Sequence, residues 1–371
     1  MNRSILLGFI LFLAVGLTGC SEKKMTDVEK AELKAEIKRD IQHHMLDAHD
    51  FHLLTVKGEN GHDSHYSLPL PIILVDNGLQ VFMSSKFNHG HSVAESNGNY
   101  YILHHSKIYK TDNKGTLNYD AKQHPTNVKP LDLSITKSVF SVMLVSLFIF
   151  IIFRKVAKNY QHTLLPTKFG KFAEPLVIFV RDEIAIPNIG VKNYEKFMPF
   201  LLTVFFFIWF INLTGLTPLG INVTGNVAVT ASLALLTFIL TIFNGKKDYW
   251  KHIFWMPGVP TPMKFVLAPI ELLGVIIKPF ALLIRLYANI SAGHIVLMSL
   301  IGLLFVFQNW FARGAFLGLT VFLSLIELLV AFLQAYIFTM LSALYFGMAV
   351  EEHEHEHEHE HEEAHIKGHQ H

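Results

Sequence analysis

The sequence predicts a mainly α-helical, polytopic membrane protein with five crossings. It adds an interfacial amphipathic helix, two long tilted helices and a small strand-rich exported region at the N-terminus. Three observations predict it. Apolar residues make up 51% of the 371, charged residues only 16%, and phenylalanine alone accounts for 31, whereas a soluble chain carries nearer a quarter charged. Mean hydropathy is +0.35. The charges are segregated: they thin to a handful between Phe197 and Val350, while both ends hold most of the acids, bases and histidines. A net charge of +1 without a basic stripe excludes nucleic-acid binding as the main role, because nothing is arranged to meet phosphates.

Residues 1–20, "MNRSILLGFILFLAVGLTGC", read as an export signal: one Arg, an apolar core, then small residues. The ending Leu17-Thr18-Gly19-Cys20 resembles a bacterial lipobox, in which Cys20 is lipidated and becomes the first mature residue. An ordinary signal peptide or short anchor that ends in Cys is the alternative. Cys20 is the only cysteine, so no intramolecular disulfide is possible.

Residues 21–134 form the exported, histidine-rich region. "TDVEKAELKAEIKRDIQHHMLDAHD" interleaves Glu and Lys at helical spacing, which predicts an exposed helix. Beyond it, "YSLPLPIILVDNGLQVFMSS" and "YYILHHSKIYKTDNKGTLNYD" alternate β-rich runs with Asn-Gly and Lys-Gly turns. Eleven histidines fall between His43 and His124. Among His43, His44, Asp47, His49 and His52 no two histidines stand at the i, i+4 spacing of a known helical metal site, and there are no cysteines beside them. Solvated surface histidines are the favoured reading, and no metal or cofactor is assigned.

The membrane domain is placed at 135–350. "SVFSVMLVSLFIFIIF" (138–153) approaches the roughly 20 residues of a crossing. Arg154, Lys155 and Lys158 close it, which the positive-inside rule puts in the cytoplasm. "FGKFAEPLVIFVRDEIAIPNIG" (169–190) mixes apolar residues with charge and predicts the interfacial helix. Segments 197–213 and 227–243 make a hairpin through "TGLTPLGINVTGN", followed by a cytoplasmic loop with Lys246, Lys247 and Lys251. Stretches 262–308 and 311–350 are longer than a perpendicular helix needs, so they are expected to tilt or bend. Pro269 and Pro279 offer places to kink. The topology is then N-terminus periplasmic and C-terminus cytoplasmic, in a bacterial inner membrane. The tail 351–371 alternates Glu and His with no apolar face, and its composition predicts disorder.

A central arginine costs a few kcal/mol on insertion scales and about 10 or more on an isolated helix in simulation. Such residues therefore face a bundle interior or an aqueous cavity. At 100° per residue, Glu271, Lys278, Arg285 and Asn289 lie along one stripe, while His294 points to the opposite side. On the last helix Thr320, Ser324, Glu327, Ala331 and Gln334 form a second stripe. A buried ion pair between helices is one reading. A row of hydroxyl, carboxamide, imidazole and carboxylate that holds water and relays protons is the other, with Arg285 charged throughout.

"KPFALLIRLYANISAGH" together with "IELLVAFLQAYIFTMLSALYF" resembles the two signature helices of subunit a of the F-type rotary ATP synthase. "VRDEIA" and "FINLTGLTP" are similar to the same family, and the likeness covers roughly 135–350. The resemblance implies a stator that conducts protons through two half-channels to and from carboxylates on a rotor ring of small subunits. Its partners would be that ring, the peripheral stalk, other synthase subunits and the lipid bilayer. ATP chemistry would lie on other subunits, and the chain contains no nucleotide-binding loop. The family pattern puts Arg285 against the ring, Asn289 and Gln334 beside it, and Glu271, His294 and Glu327 in the half-channels. It leaves Lys278, Ser324 and Asn212 as auxiliary polar positions. Many bacterial relatives carry the acid and the imidazole of the 294/327 pair the other way round. Gly215 stands near Asn212 where some members are acidic. The exchanged pair leads us to expect His294 and Glu327 near each other, directly or through one water.

The rival function is a proton-coupled secondary transporter using Arg285 and Glu327. Transporters usually show repeated halves, and no internal repeat is visible. Intact-mass measurement of the purified chain tests the N-terminal reading: the mature protein is expected to begin at a lipid-modified Cys20, and an unmodified Met1 start would refute it.

Overall fold

The computed structural model describes residues 27–57, 63–90, 92–122, 124–162, 169–217, 222–256, 259–307 and 309–351. The export signal with Cys20, and the Glu/His tail beyond Glu351, lie outside the described residues.

Among the described residues a helix, α1 (Asp27–Met45), precedes eight strands: β1 (Asp50–Lys57), β2 (Asp63–Pro69), β3 (Pro71–Val75), β4 (Leu79–Met83), β5 (Ala94–Ser96), β6 (Asn99–His104), β7 (Lys107–Thr111) and β8 (Leu131–Asp132). They pair antiparallel as β1-β2, β4-β3-β8 and β5-β6-β7. Two-residue turns with positive φ at both positions, Asn97-Gly98 and His105-Ser106, join β5 to β6 and β6 to β7. That backbone matches the twist of the strands it connects. Strict alternation in β3 and β4 sends Ile72, Leu74 and Phe82 inward, where they pack with Phe87, Ala94, Tyr101 and Ile108.

Among the described residues, five helices are long and apolar enough to cross a membrane: α2 (Lys137–His162), α5 (Tyr194–Gly215), α6 (Val227–Asn244), α8 (Thr261–Val306) and α9 (Trp310–Val350). Between α2 and α5 lie α3 (Gly170–Phe179), a π-helical turn (Val180–Ala185) and α4 (Ile186–Ile189). The short α7 (Lys247–Phe254) follows α6. Pro269 and Pro279 lie inside a continuous α8 and do not end it.

The described chain forms two compact units: the described parts of Met1–His43 with Ile295–Ser324, and of His44–His294 with Leu325–His371. In the first, Ile37 lies against Gly302, where an added Cβ would crowd it. Phe307 stacks on Phe316 at 5.1 Å. In the second, the 169–190 segment is two-sided, as its composition predicts: Arg181, Asp182 and Glu183 are exposed, while Val180, Ile184, Ala185 and Ile189 join the main core. Phe205 and Trp209 of α5 meet Phe332 of α9 edge-on at 5.7 and 5.4 Å, and Phe197 stacks on Phe346 at 4.6 Å. Gly347 lets α9 cross α4 backbone to backbone, since any Cβ there would overlap the Asn188 carbonyl.

The strand-rich region has its own polar pin. Lys110 Nζ lies 2.7 Å from Asp76 Oδ2, and the Tyr101 hydroxyl donates to the same oxygen at 3.1 Å. The Lys110 hydrogen bond holds the Asp76 carboxyl below its ordinary value, against the opposing effect of burial. Tyr101 is pushed up to about 12, first by burial and then by Asp76. The stabilisation from ionised Asp76 is therefore complete above the usual carboxylate range and is lost as pH falls through its lowered value. Asp76→Asn is expected to cost about 1–2 kcal/mol, read as faster amide exchange of β3, β4, β6 and β7 in the full-length chain. The difference from wild type should shrink as pH drops below about 4.

Candidate functional site

The two polar stripes do not stay intact. Asn289 Nδ2 of α8 donates to Gln334 Oε1 of α9 at 3.0 Å. Gln334 is 2% exposed, and its own amide nitrogen has no partner among the described residues. Arg285, one turn before Asn289, is exposed on the apolar surface between Ile284 and Ala288. Among the described residues no carboxylate lies within salt-bridge distance of it. Lys278 parts from Arg285: it is half-buried, 3.8 Å from Met348 Sδ and 5.5 Å from the Tyr345 ring centre. Its flexible stem lets the ammonium leave the direction its Cα sets. Ser324 belongs to the other unit and donates to the Thr320 carbonyl of its own helix at 2.9 Å.

His294 and Glu327 line one cavity of about 10 Å³, together with Asn212, Thr224 and Asn222. That volume has room for about one water. Glu327 reaches α8 at Gly293, where an added Cβ would stand 2.8 Å from Glu327 Oε1. The missing side chain is what lets the carboxylate press against the helix backbone. Asn212 is held in turn by Thr224, whose hydroxyl donates to Asn212 Oδ1 at 2.9 Å.

A second cavity of about 10 Å³ is lined by Lys278, Tyr345, Tyr249, Thr237 and Thr241. The Tyr249 hydroxyl is pushed up, first by burial and then by the charge of Glu271. Glu271 therefore sits within electrostatic reach of this cavity. Lys278 and His294 are sixteen residues apart on α8, so the two polar regions are separated by about 24 Å along the helix. Arg285 lies between them.

Sequence reasoning missed Thr224, Tyr249 and Tyr345. Tyr345 is eighteen residues beyond Glu327, five whole turns on the same stripe, so helical periodicity held the signal. Thr224 gave none, because its role comes from a loop folding back over α5.

The family model described as ATP synthase A chain matches residues 139–347. A second, described only as a domain of unknown function, matches residues 40–133. An ATP synthase subunit a of Chloroherpeton thalassium is 42% identical over 232 residues, covering 60% of this chain and 69% of the relative. ATP synthase subunit a 2 of Prosthecochloris aestuarii is 37% identical over 313 residues, covering 78% and 94%. The subunit a of an Anaeromyxobacter species is 41% identical over 232 residues, covering 60% and 56%.

The cavity's polar frame is open to direct test. Thr224→Val should leave the buried Asn212 carboxamide without its donor and destabilise the detergent-solubilised protein by about 1–3 kcal/mol, seen as a lower thermal midpoint. Thr224→Ser should keep most of the stability.

Proposed function

The chain belongs to the ATP synthase A chain family, and from that premise we propose that it is the proton-conducting stator of a rotary ATP synthase. The observation that carries this reading is Arg285: a permanent cation on an exposed apolar face, with no carboxylate among the described residues to pair with. Such a charge is tolerated in hydrocarbon when a mobile anion comes to it. A rotor carboxylate at mid-membrane supplies that anion. Arg285 draws each arriving carboxylate into its ionised form and keeps protons from passing directly between the two sides.

The two cavities support separate half-channels. His294 and Glu327 exchange protons with the exported side, framed by Asn212 and Thr224. Glu271, Tyr249 and Lys278 form the region that communicates with the cytoplasm. Asn289 and Gln334 orient the surface beside the arginine. This sidedness is supported by Arg154, Lys155 and Lys158 after the apolar run of α2, and by Lys246, Lys247 and Lys251 around α7, cations of the kind that gather on the cytoplasmic side. The membrane potential contributes about 2.3 kcal/mol per proton per 100 mV, and ATP is made by other subunits. The partners are the rotor ring, the peripheral stalk and the remaining synthase subunits. The setting is a bacterial inner membrane.

Arg285→Ala is expected to abolish proton-driven ATP synthesis in energised vesicles while leaving the complex assembled. Arg285→Lys should fail or nearly fail, because an ammonium is more strongly hydrated and can lose its proton when buried. Substantial synthesis by the alanine variant would overturn the stator reading.

A further inference from the structure

Asn222 and Thr224, in the loop between α5 and α6, form part of the wall of the His294–Glu327 cavity. The loop closes on itself at this point. The Gly225 N–H donates to Asn222 Oδ1 at 2.9 Å, and the Asn226 N–H donates to the Val223 carbonyl at 3.0 Å. Residues 222–226 are therefore one tight turn, held from two sides. On the membrane side the Thr224 hydroxyl donates to Asn212 Oδ1 of α5 at 2.9 Å. On the other side stands Asp47, 179 positions earlier in the chain, whose Oδ2 accepts from Asn226 Nδ2 at 2.9 Å.

Asp47 is itself well fixed. Its Oδ1 accepts from the Ser138 backbone N–H at 3.1 Å, in the first turn of α2. The Lys137 N–H donates to the Ala48 carbonyl at 2.9 Å. His49, 3% exposed, reaches Asp132 at 2.8 Å and ties the same segment to β8. Apolar contacts run alongside: Val223, 1% exposed, packs with Phe51, Leu70, Val145 of α2 and Ile211 of α5. Asn226 spends its remaining side-chain oxygen on the cap of α6, accepting from the Ala228 N–H at 2.9 Å. One carboxylate thus joins the starts of α2 and α6 and grips the turn between α5 and α6. Hydrogen bonds to a carboxylate are roughly twice as strong as neutral ones, so Asp47 holds the turn more firmly than the Thr224–Asn212 bond does. The cavity measures only about 10 Å³, room for about one water. A small shift of its wall decides whether that water fits.

We propose that Asp47 is a positioning residue of the proton path: by holding Asn226 it keeps the 222–226 turn seated on Asn212 as the wall of the His294–Glu327 cavity. The proposal rests on the stator reading above. It gives work to a region, residues 40–133, whose matched family is described only as a domain of unknown function.

The test uses assembled complex carrying the full-length chain, reading amide exchange of residues 222–226 and, in sealed vesicles, proton flux per complex. Asp47→Asn sets an amide N–H against a donor whichever way it turns. It should speed exchange of the turn by about tenfold or more. It should also lower flux per complex by roughly twofold to thirtyfold, the range for residues that act through others. Pairing it with Asn226→Asp reverses the contact: the new amide at 47 donates to the new carboxylate at 226, which still caps α6. Both readings should then return most of the way to wild type. On a Thr224→Val background, Asp47→Asn should cost little further flux, because both changes release the same wall. Where Asp47→Asn does not assemble, Asn226→Ser, which keeps a capping oxygen and removes the donor, takes its place. Normal flux per assembled complex, whether or not the turn exchanges faster, would overturn the proposal and leave Asp47 a brace. So would full multiplication of the Asp47 and Thr224 effects. Synthesis retained by Arg285→Ala would instead remove the stator reading, and exchange of the turn is read independently of it.

Discussion

A guanidinium keeps its proton, and hydrocarbon does not solvate it. The arrangement of α8 and α9 follows from that conflict. Arg285 is exposed on an apolar surface, with Asn289 one turn on and tied to a buried Gln334. The other strongly polar groups of the two helices in this unit are drawn to one side or the other. His294 and Glu327 go to one cavity, and Lys278 goes to a second beside Tyr345. Seven residues after Lys278 and nine before His294, the arginine stands on a stretch that neither cavity reaches. That segregation suits a proton-conducting stator, where a continuous wet path would short-circuit the membrane.

The supports of the site are backbone features more than side chains. Gly293 gives Glu327 a seat against α8. Gly347 lets α9 cross α4 with no side chain between them, bringing the half-exposed 169–190 segment into the main core. Phenylalanine fills the remaining space between α5 and α9, and its edge-on contacts hold the helices without adding polarity. Threonine and serine inside the helices return their hydroxyl hydrogens to the preceding turn, as Thr237, Thr241, Thr339 and Ser342 do. Hydroxyls satisfied in this way cost little in an apolar core.

Much of this was legible in the sequence, because it is periodic. Apolar runs marked the five long helices, and a 100° step grouped the polar residues of α8 and α9. Asn-Gly turns and alternation marked the strands. The limits of periodicity are equally physical. A stripe describes the direction in which each residue leaves the helix axis, so it grouped Lys278 with Arg285, although a four-carbon stem carries the ammonium elsewhere. It could not anticipate that Thr224 folds back onto Asn212, or that Asp47 meets Asn226 across 179 positions of chain. Such pairs are set by how elements dock, and no local pattern records them. Composition alone also gave the histidines of the exported region a single role as solvated surface, whereas His49 is buried against Asp132.

The length of α8 has a mechanical side. Its 46 residues amount to about 69 Å at 1.5 Å each, against a hydrocarbon layer of about 30 Å. A helix so much longer than the layer is thick must tilt, bend or run out past its faces. Lys278 and His294, sixteen residues apart on α8 within one unit, mark off about 24 Å of it. Wherever that stretch tilts, height and sideways position change together, like points on a ramp. Under the stator reading, a proton that entered at one cavity and left at the other would therefore be carried along the membrane plane as well as through it.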